Sequence, residues 1–258
     1  MPTELSPKNP RVERVRDLRT PRGRREAGAF AAEGPTLLEE ARRSGLRPRE
    51  IYGSTEALAR IDTAALEGDG IEVWSVPERV FSRLSDLDTP TGLLAVFALP
   101  GTTAEDVLET SGPVLLLAGV GDPGNAGTLV RAAEAFGAGG VLFGTGGADP
   151  YSPKVVRAAM GSLFRLPVAQ IDAESVLAAA AERGRLIVAT DLDGEDVRDA
   201  ELPRDIILAV GNERRGVRDW LPRWDRAVRI PQRGETESLN AAVAGSIVLY
   251  ELTRAARA

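Results

Sequence analysis

The 258-residue chain contains no cysteine and no histidine. Disulfide bonds, a thiolate nucleophile, an imidazole base and a zinc site of Cys and His side chains are therefore excluded. No apolar run reaches the roughly 18 residues of a membrane-spanning helix, and no charged-then-apolar leader is visible. We therefore expect a cytoplasmic protein whose chemistry uses carboxylates, hydroxyls, amides, arginines or a bound cofactor.

Lysine is scarce, since only Lys8 and Lys154 occur, and nearly all basic side chains are arginines. The formal net charge is −6, but residues 1–25 carry eight basic and three acidic side chains, which gives +5 there and −11 for the remainder. A basic arm on an acidic body predicts a local contact with a polyanion. A solvated basic helix face would give the same charge pattern.

The hydrophobic pattern predicts an α/β fold, because short apolar runs alternate with amphipathic segments. The runs at residues 115–120 and 206–211 are nearly continuous, as in strands covered on both faces of a parallel sheet. The polar stretch at residues 100–112 is the predicted linker between a domain at residues 1–99 and another at residues 113–258. Strands of the second domain are predicted at residues 114–118, 140–143, 186–189, 206–210 and 227–230.

The last segment, residues 238–258, is predicted to be a helix with two apolar stripes. A terminal helix that faces one core needs a single stripe, so the second stripe predicts a further partner surface. Small residues, such as Ala244 and Gly245, would allow close approach. One stripe holds Leu239, Val243, Ile247 and Tyr250, and the other holds Ala241, Ala244, Val248 and Leu252.

A glycine-rich turn, GVGDPGNAG at residues 119–127, lies between a predicted buried strand and a helix. Such a turn presents backbone N–H groups at a helix N-terminus, where an anion or a polar ligand can bind. A dinucleotide-binding domain is the alternative, but Gly121, Gly124 and Gly127 follow G-x-x-G-x-x-G spacing instead of G-x-G-x-x-G. The next strand also ends in FGTGG, residues 143–147, where a ribose-binding acid would be expected.

Two polar residues of this helix have a structural alternative to a functional role. Asn125 could simply cap the helix. Arg131 could pair with Glu134 one turn later on the same helix face. Each residue alone is therefore open to either interpretation.

Two further motifs place polar residues near the ends of predicted strands. Glu213 follows a strand in ILAVGNERRGV, residues 207–217, at the carboxyl end of the sheet, where ligands of parallel sheets bind. It is either a ligand acceptor or an acid stabilised by a helix dipole. In IPQRGETESLNAAVAGSIVLYE, residues 230–251, Ser238 could cap the last helix. Asn240 follows in the first turn, where a buried amide needs a hydrogen-bonding reason.

In this order and spacing, the three motifs resemble those of the SpoU/TrmH family of RNA ribose 2′-O-methyltransferases, within the SPOUT superfamily. Residues 9–99 more loosely resemble the substrate-recognition domain that is often fused in front. The matching motif positions are Asn125 and Arg131 in the first motif, Glu213 in the second, and Ser238 and Asn240 in the third. The departures are Gln232 where methionine is usual, Ala241 and Ala242 where valine and serine are common, and Thr91 in TPTG where TPQG is more usual.

The resemblance implies a parallel α/β sheet whose C-terminal region forms a trefoil knot, a rare exception to unknotted topology. A smaller, ribosomal-protein-like α/β domain that binds RNA would precede it. The resemblance also implies an S-adenosylmethionine site in the knot and a homodimer packed through that region, and we expect neither a metal nor a membrane. The cofactor-binding positions would be Thr190, Gly211, Ile230 and Leu239. In the basic arm, the expected RNA contacts are Arg22, Arg24 and Arg25.

Methyl transfer from a sulfonium to an oxygen is an in-line displacement that needs positioning and no metal. The family's usual account makes the first-motif arginine, here Arg131, the general base. A guanidinium stays protonated near neutral pH, so we favour Arg131 as the group that binds a neighbouring phosphate and stabilises alkoxide charge, with phosphate or water taking the proton. Asn125 and Ser238 would orient the arginine or the ribose. Glu213 would anchor the arginine or its loop, and Asn240 would hold the knot.

Two rival functions are an inactive RNA-binding module that kept the fold and a nicotinamide-dependent oxidoreductase. The presence of all five polar motif residues disfavours the first, and the glycine spacing and missing acid disfavour the second. The sequence leaves ribosomal and transfer RNA open as substrates, and a housekeeping or an antibiotic-resistance role open as well. A separate N-terminal recognition domain favours ribosomal RNA.

Overall fold

The structure is a computed structural model that describes residues 2–212, 215–234 and 238–255. The predicted site residue Glu213 lies outside the described residues. The chain divides into two compact units. The N-terminal unit consists of Met1–Gly101 and Tyr151–Phe164, and the C-terminal unit consists of Thr102–Pro150 and Arg165–Ala258.

The N-terminal unit is an α/β arrangement around a five-stranded mixed sheet. Its strands are β1 (Thr3–Glu4), β2 (Ala29–Glu33), β3 (Glu50–Gly53), β4 (Glu72–Ser75) and β5 (Leu93–Ala98). The helices between them are α1 (Pro10–Asp17), α2 (Pro21–Ala27), α3 (Pro35–Ser44), α4 (Thr55–Leu58), α5 (Thr63–Gly68) and α6 (Glu78–Leu84). Across the sheet the order is β1-β4-β3-β5-β2, with β5 antiparallel to both of its neighbours. The prediction of a smaller N-terminal α/β domain is confirmed.

The C-terminal unit is built around a six-stranded sheet whose described strand pairs are all parallel. From residue 102 onward the chain forms α7 (Ala104–Leu108), β6 (Val114–Ala118), α8 (Pro123–Ala135), β7 (Gly140–Gly144), α9 (Pro153–Ala159), a 3₁₀ turn (Ser162–Phe164), β8 (Val168–Ile171), α10 (Ala173–Arg183), β9 (Ile187–Asp196), β10 (Ile207–Gly211), β11 (Arg226–Arg229) and α11 (Ala241–Ala255). The order across the sheet is β11-β9-β10-β6-β7-β8. The predicted parallel α/β sheet is confirmed, and the trefoil knot stays a prediction.

The two central strands of this sheet are buried along their whole length, as their continuous apolar runs predict. Every residue of β6 and of β10 is buried, and the two strands pair in register from Ile207 beside Val114 to Gly211 beside Ala118. Because parallel strands end at the same edge, the loops that follow Ala118 and Gly211 leave the sheet side by side. This edge carries the candidate site.

Several helices begin with proline at the first position, where the missing N–H would have no helical partner and the fixed φ suits the helix. Pro10, Pro21 and Pro123 each follow a residue whose side chain accepts a hydrogen bond from the first turn. Such signals set the helix starts locally. Among the residues that the structure describes, no helix is both long enough and apolar enough to cross a membrane.

The predicted linker, residues 100–112, instead contains a helix of the C-terminal unit. Thr103 and Asp106 form a reciprocal capping box at the start of α7. The hydrogen bonds from Thr103 hold the pKa of Asp106 below its usual value. Val107 and Leu108 are buried in the core beneath the sheet. The polar residues of this stretch therefore cap helix α7, and the buried side chains of Val107 and Leu108 anchor that helix in the core.

Residues 151–164 fall within the predicted second domain, but they pack with the N-terminal unit. The ring centroids of Phe30 and Tyr151 lie 5.0 Å apart, and those of Phe97 and Phe164 lie 5.6 Å apart. In the same unit, Arg157 on α9 donates a 2.5 Å hydrogen bond to Asp86. This segment of the chain is thus an integral part of the N-terminal core.

One of the three predicted RNA contacts has a structural role instead. Arg24 is 2% exposed, and its Nη1 donates to the carbonyl oxygen of Leu18 at 2.7 Å. A buried guanidinium that bonds the backbone cannot face a polyanion without unfolding its surroundings. Arg22 and Arg25 are exposed, and Arg22 pairs with Glu26 one turn later.

We predict that Arg24→Ala lowers the stability of the N-terminal unit by about 1–3 kcal/mol, because it leaves the buried Leu18 carbonyl without this donor. The matched Arg25→Ala variant removes an exposed arginine of the same helix and should change stability by less than about 0.5 kcal/mol. Thermal and urea unfolding of the two variants make the comparison. Equal stability of both variants would contradict the structural role of Arg24.

Candidate functional site

The first motif begins at the carboxyl end of β6. The chain turns through Gly119, whose φ of +71° favours glycine, before α8 starts at Pro123. The Oδ1 of Asp122 accepts a 2.8 Å hydrogen bond from the backbone N–H of Asn125. Asp122 is therefore the helix cap, and the suggestion that Asn125 caps α8 is wrong. The Asn125 side chain has a different contact.

That contact joins the first motif to the third. The Oδ1 of Asn125 accepts a hydrogen bond from the Nδ2 of Asn240 at 3.0 Å. The Oδ1 of Asn240 in turn accepts from the backbone N–H groups of Ala242 at 2.9 Å and Val243 at 3.2 Å. Asn240 thus caps α11, whereas Ser238, the cap considered from the sequence, is exposed and precedes the helix. One amide links the first turns of α8 and α11.

Arg131 projects from the exposed side of α8. Its guanidinium forms no hydrogen bond or ion pair with any residue that the structure describes. The structural alternative, a pair with Glu134, is not formed; Glu134 accepts hydrogen bonds from the guanidinium of Arg165 instead. Within the described part of the chain, the Arg131 side chain is thus exposed and unpaired.

A cavity of about 740 Å³ lies at the carboxyl ends of β9 and β10, a size typical of small-molecule sites. Its walls include the four predicted cofactor positions and the third-motif residue Ser238. The Oγ1 of Thr190 donates to the carbonyl oxygen of Ala209 at 3.3 Å, which ties the β9 wall to β10. The predicted positions that line it are Thr190, Gly211, Ile230, Leu239 and Ser238.

Gly211 is required by the loop that closes over the end of β10. Asn212 and Gly216 form an antiparallel bridge, so the loop returns directly over the strand end. A Cβ on Gly211 would lie 2.2 Å from the carbonyl carbon of Gly216 and 2.3 Å from the nitrogen of Val217. Because Gly211 has no side chain, the backbone of Gly216 and Val217 can pack directly against it at the cavity wall.

The chemistry of the cavity wall fits an organic ligand with a positive charge and hydrogen-bond donors. Leu239 and Val248 supply apolar surface, and Asp191, Asp193 and Arg229 are the charged residues of the lining. The Oε1 of Gln232 is buried and has no hydrogen-bond partner among the described residues. A ligand that donates a hydrogen bond to this unpaired, buried oxygen would be stabilised by that bond.

The structure thus brings together residues from all three motifs, except for Glu213, which lies outside the described residues. The sequence signal for Asp122 was its position before proline, and Asp191 and Asp193 had no distinguishing signal beyond following a predicted strand.

Thr91, a departure from the family pattern, lies in the N-terminal unit, and its backbone N–H donates a 2.9 Å hydrogen bond to the buried carboxylate of Glu33. Among the described residues, no group of three His, Cys, Asp or Glu side chains could hold a metal ion.

Comparisons with known proteins agree with this geometry. The SpoU rRNA Methylase family model matches residues 112–250, and the MRM3-like substrate binding domain matches residues 9–95. The chain is 34% identical to the 23S rRNA (guanosine(2553)-2′-O)-methyltransferase RlmP of Bacillus subtilis, over 96% of this chain and 97% of that protein. An AdoMet-bound rRNA methyltransferase from Sinorhizobium meliloti has a TM-score of 0.84 and 31% identity, with 98% of both chains covered. The SpoU methyltransferase AviRb from Streptomyces viridochromogenes, in complex with AdoMet, has a TM-score of 0.85 and 28% identity, over 97% of this chain and 99% of that chain.

A smaller α/β unit, a parallel sheet with a ligand cavity at its carboxyl edge, and these likenesses define a two-unit α/β methyltransferase. The chain belongs to the SpoU rRNA methylase family. The resemblance inferred from the three motifs is confirmed.

We predict that Gly211→Ala lowers the free energy of unfolding by about 1–3 kcal/mol or more, because the new methyl group overlaps backbone atoms that cannot rotate away. Gly121→Ala is the matched control, since a Cβ at Gly121 would meet no atom within 4 Å. Thermal unfolding of the two variants tests the close approach. Wild-type stability of Gly211→Ala would show that the loop does not pack on Gly211.

Proposed function

We propose that this protein transfers a methyl group from S-adenosylmethionine to a ribose 2′-hydroxyl of ribosomal RNA. The observation that carries the proposal is the cavity at the sheet edge, which is lined by all four predicted cofactor positions and by Ser238 of the third motif. A relative that spans nearly the whole chain and is named a 23S rRNA methyltransferase supports ribosomal RNA over transfer RNA. A ribosomal RNA substrate would place the protein in the cytoplasm.

The cavity residues fit S-adenosylmethionine as the donor. Apolar side chains such as Leu239 and Ile230 suit the adenine ring, and Asp191 and Asp193 offset the positive charge of the sulfonium and ammonium groups. The backbone beside Gly211 offers hydrogen-bonding groups. When bound, the cofactor supplies an electrophilic methyl group. The protein must then bring a ribose oxygen in line with that methyl and stabilise the charge that develops on the oxygen.

Arg131 fits the second task. An arginine remains protonated at neutral pH and binds phosphate through a planar fork. Its free guanidinium would bind the RNA phosphate next to the target ribose and stabilise the developing alkoxide, while phosphate or water accepts the proton. Asn125 and Asn240 hold the start of α8 in place for this task. Ser238 would orient the ribose, and Glu213 would anchor the Arg131 region.

The N-terminal unit would hold the RNA. Among the eight basic residues of the arm, Arg11, Arg14, Arg16 and Arg22 pair with carboxylates, and Arg24 is buried. The exposed Lys8, Arg19 and Arg25 form no ion pair with the described residues. These three cations are the ones that would bind RNA phosphates, and the paired arginines would contribute less.

We further propose that the chain forms a homodimer through α11. Val243, Ile247 and Tyr250 lie along one side of this helix and are 49%, 36% and 49% exposed, whereas Val248 and Leu249 of its other side are buried. An exposed apolar stripe of large side chains beside a buried one is typical of a protein interface. Light scattering of the full chain at micromolar concentration tests this assembly, and a monomer there would refute it.

For RNA binding, we predict that Arg19→Ala/Arg25→Ala weakens affinity and reduces the slope of log affinity against log salt by about 1.5, since two phosphate contacts are lost. The control Arg16→Ala/Arg22→Ala removes the same charge from two arginines that are already paired, and should reduce the slope less. Salt titrations of ribosomal RNA binding make the measurement. Equal effects of both double variants would indicate a general charge effect instead of contacts.

For the chemistry, we predict that Arg131→Ala slows single-turnover methyl transfer by about 10²–10³-fold, as expected when a preorganised charge-stabilising donor is removed. Arg131→Lys should retain part of the rate, because an ammonium keeps the charge but lacks the planar fork. Cofactor affinity, measured by calorimetry, should survive both changes, and Arg183→Ala on α10 serves as the arginine control.

The pH dependence distinguishes the two roles of Arg131. If its charge is what matters, Arg131→Lys stays slower than wild type from pH 6 to pH 10. If Arg131 acts as a base, the lysine variant approaches or exceeds wild type as pH rises, because a lysine loses its proton more readily. Full activity of Arg131→Ala would refute both roles. A protein that binds no S-adenosylmethionine would be an inactive RNA-binding module.

A further inference from the structure

The helix α8 carries two opposite charges one turn apart, on Arg131 and Glu134. Residues three positions apart on a helix are neighbours, so an arginine and a glutamate in these positions ordinarily attract one another. Such a pair would occupy the guanidinium of Arg131, which in the proposed function binds an RNA phosphate. Arg131 nevertheless has no ion-pair partner among the described residues.

Glu134 is engaged by Arg165. The Nε of Arg165 donates to Oε1 of Glu134, and Nη2 donates to Oε2 at 3.1 Å, so both carboxylate oxygens accept a hydrogen bond. This two-pronged arrangement is the strongest that arginine forms with a carboxylate. The two side chains are 34% and 29% exposed, so solvent and salt screen the pair less than a fully exposed one.

Arg165 reaches Glu134 from a distant part of the chain. It directly follows the 3₁₀ turn Ser162–Phe164 and precedes β8, 31 positions after Glu134. β8 is the edge strand beside β7, and its pairing with β7 fixes the backbone near Arg165. The backbone next to Arg165 is therefore held by the sheet and not by α8 itself.

We infer that Arg165 is a positioning residue for Arg131. By holding both oxygens of Glu134, it keeps that carboxylate from pairing with Arg131 and leaves the Arg131 guanidinium free for an RNA phosphate. The inference rests on the role of Arg131 in the proposed function. Arg165 touches neither RNA nor cofactor in this scheme and acts through Glu134.

The test is a double-variant cycle measured as single-turnover methyl transfer at saturating RNA and cofactor. Arg165→Ala removes these two hydrogen bonds from Glu134 and lets its carboxylate attract Arg131, and the rate should fall about two- to sixfold, the range that competition from a partly exposed ion pair produces. Glu134→Gln should keep the wild-type rate. Arg165→Ala/Glu134→Gln should recover it, because the amide carries no charge to attract Arg131. Arg165→Lys should retain most of the rate.

Recovery in the double variant is the decisive result. If Arg165 only stabilised the fold, the double variant would be at least as impaired as Arg165→Ala, and the inference would be overturned. A wild-type rate in Arg165→Ala would overturn it as well. So would a loss in Glu134→Gln equal to that in Arg165→Ala, since the ion pair itself would then be what matters.

A second measurement reads the pairing of Arg131 without turnover. The Nε–H resonance of Arg131, assigned by its loss in Arg131→Lys, should exchange rapidly with water in the wild type, slowly in Arg165→Ala, and rapidly again in the double variant. Unchanged exchange across the three proteins would refute the inference. Full activity of Arg131→Ala would instead refute the proposed role of Arg131, while the exchange would still report whether Arg165 controls Glu134.

Discussion

The Asn240 side chain donates to the Oδ1 of Asn125 and at the same time accepts from two backbone N–H groups at the start of α11. An amide offers a donor and an acceptor in one rigid plane, which a carboxylate or a hydroxyl cannot reproduce in this geometry. The bond fixes the first turns of α8 and α11 relative to each other. One helix carries Arg131, and the other forms a wall of the cavity with Ala241, Ala244 and Val248. Together with the packing of Gly245 on Leu129 and of Tyr250 on Phe136, this amide therefore sets the relation between the cation and the cavity.

A chain without histidine or cysteine needs a reaction that fixed charges and backbone groups can support. In-line methyl transfer meets that condition, because positioning and charge stabilisation supply most of what the step requires. Gly211 brings backbone to the cavity wall, and Asp191 and Asp193 are among the residues that line the same cavity. On α8, Arg131 supplies a permanent positive charge.

The sequence predicted those features that depend on local patterns. The apolar runs of β6 and β10 identified buried parallel strands, and the four positions that the family resemblance implied for the cofactor lie in the cavity wall. Helix caps were less predictable, because each helix had two candidate residues. Asp122 competes with Asn125 at α8, and Asn240 competes with Ser238 at α11. Only tertiary contacts decide between them. Likewise, charge alone could not separate the buried Arg24 from the exposed Arg25. Their difference comes from which side of α2 packs on the core.

Long-range pairing was equally invisible to local patterns. Arg165 and Glu134 are 31 positions apart, so nothing in the helical spacing of Arg131 and Glu134 revealed that the glutamate has another partner. The capping box of α7 resembled a linker in composition, although Val107 and Leu108 anchor it in the core. In both cases the tertiary structure overrides a local preference.

The central claim is methylation of a ribose in ribosomal RNA, and mapping of 2′-O-methyl groups across all RNA of a deletion strain and its parent tests it most directly. The account predicts that ribose methylation disappears at a ribosomal RNA position and returns when the wild-type gene is restored, but not when the Arg131→Ala gene is. Unchanged ribose methylation of all RNA, or a loss confined to transfer RNA or to methylated bases, would contradict it.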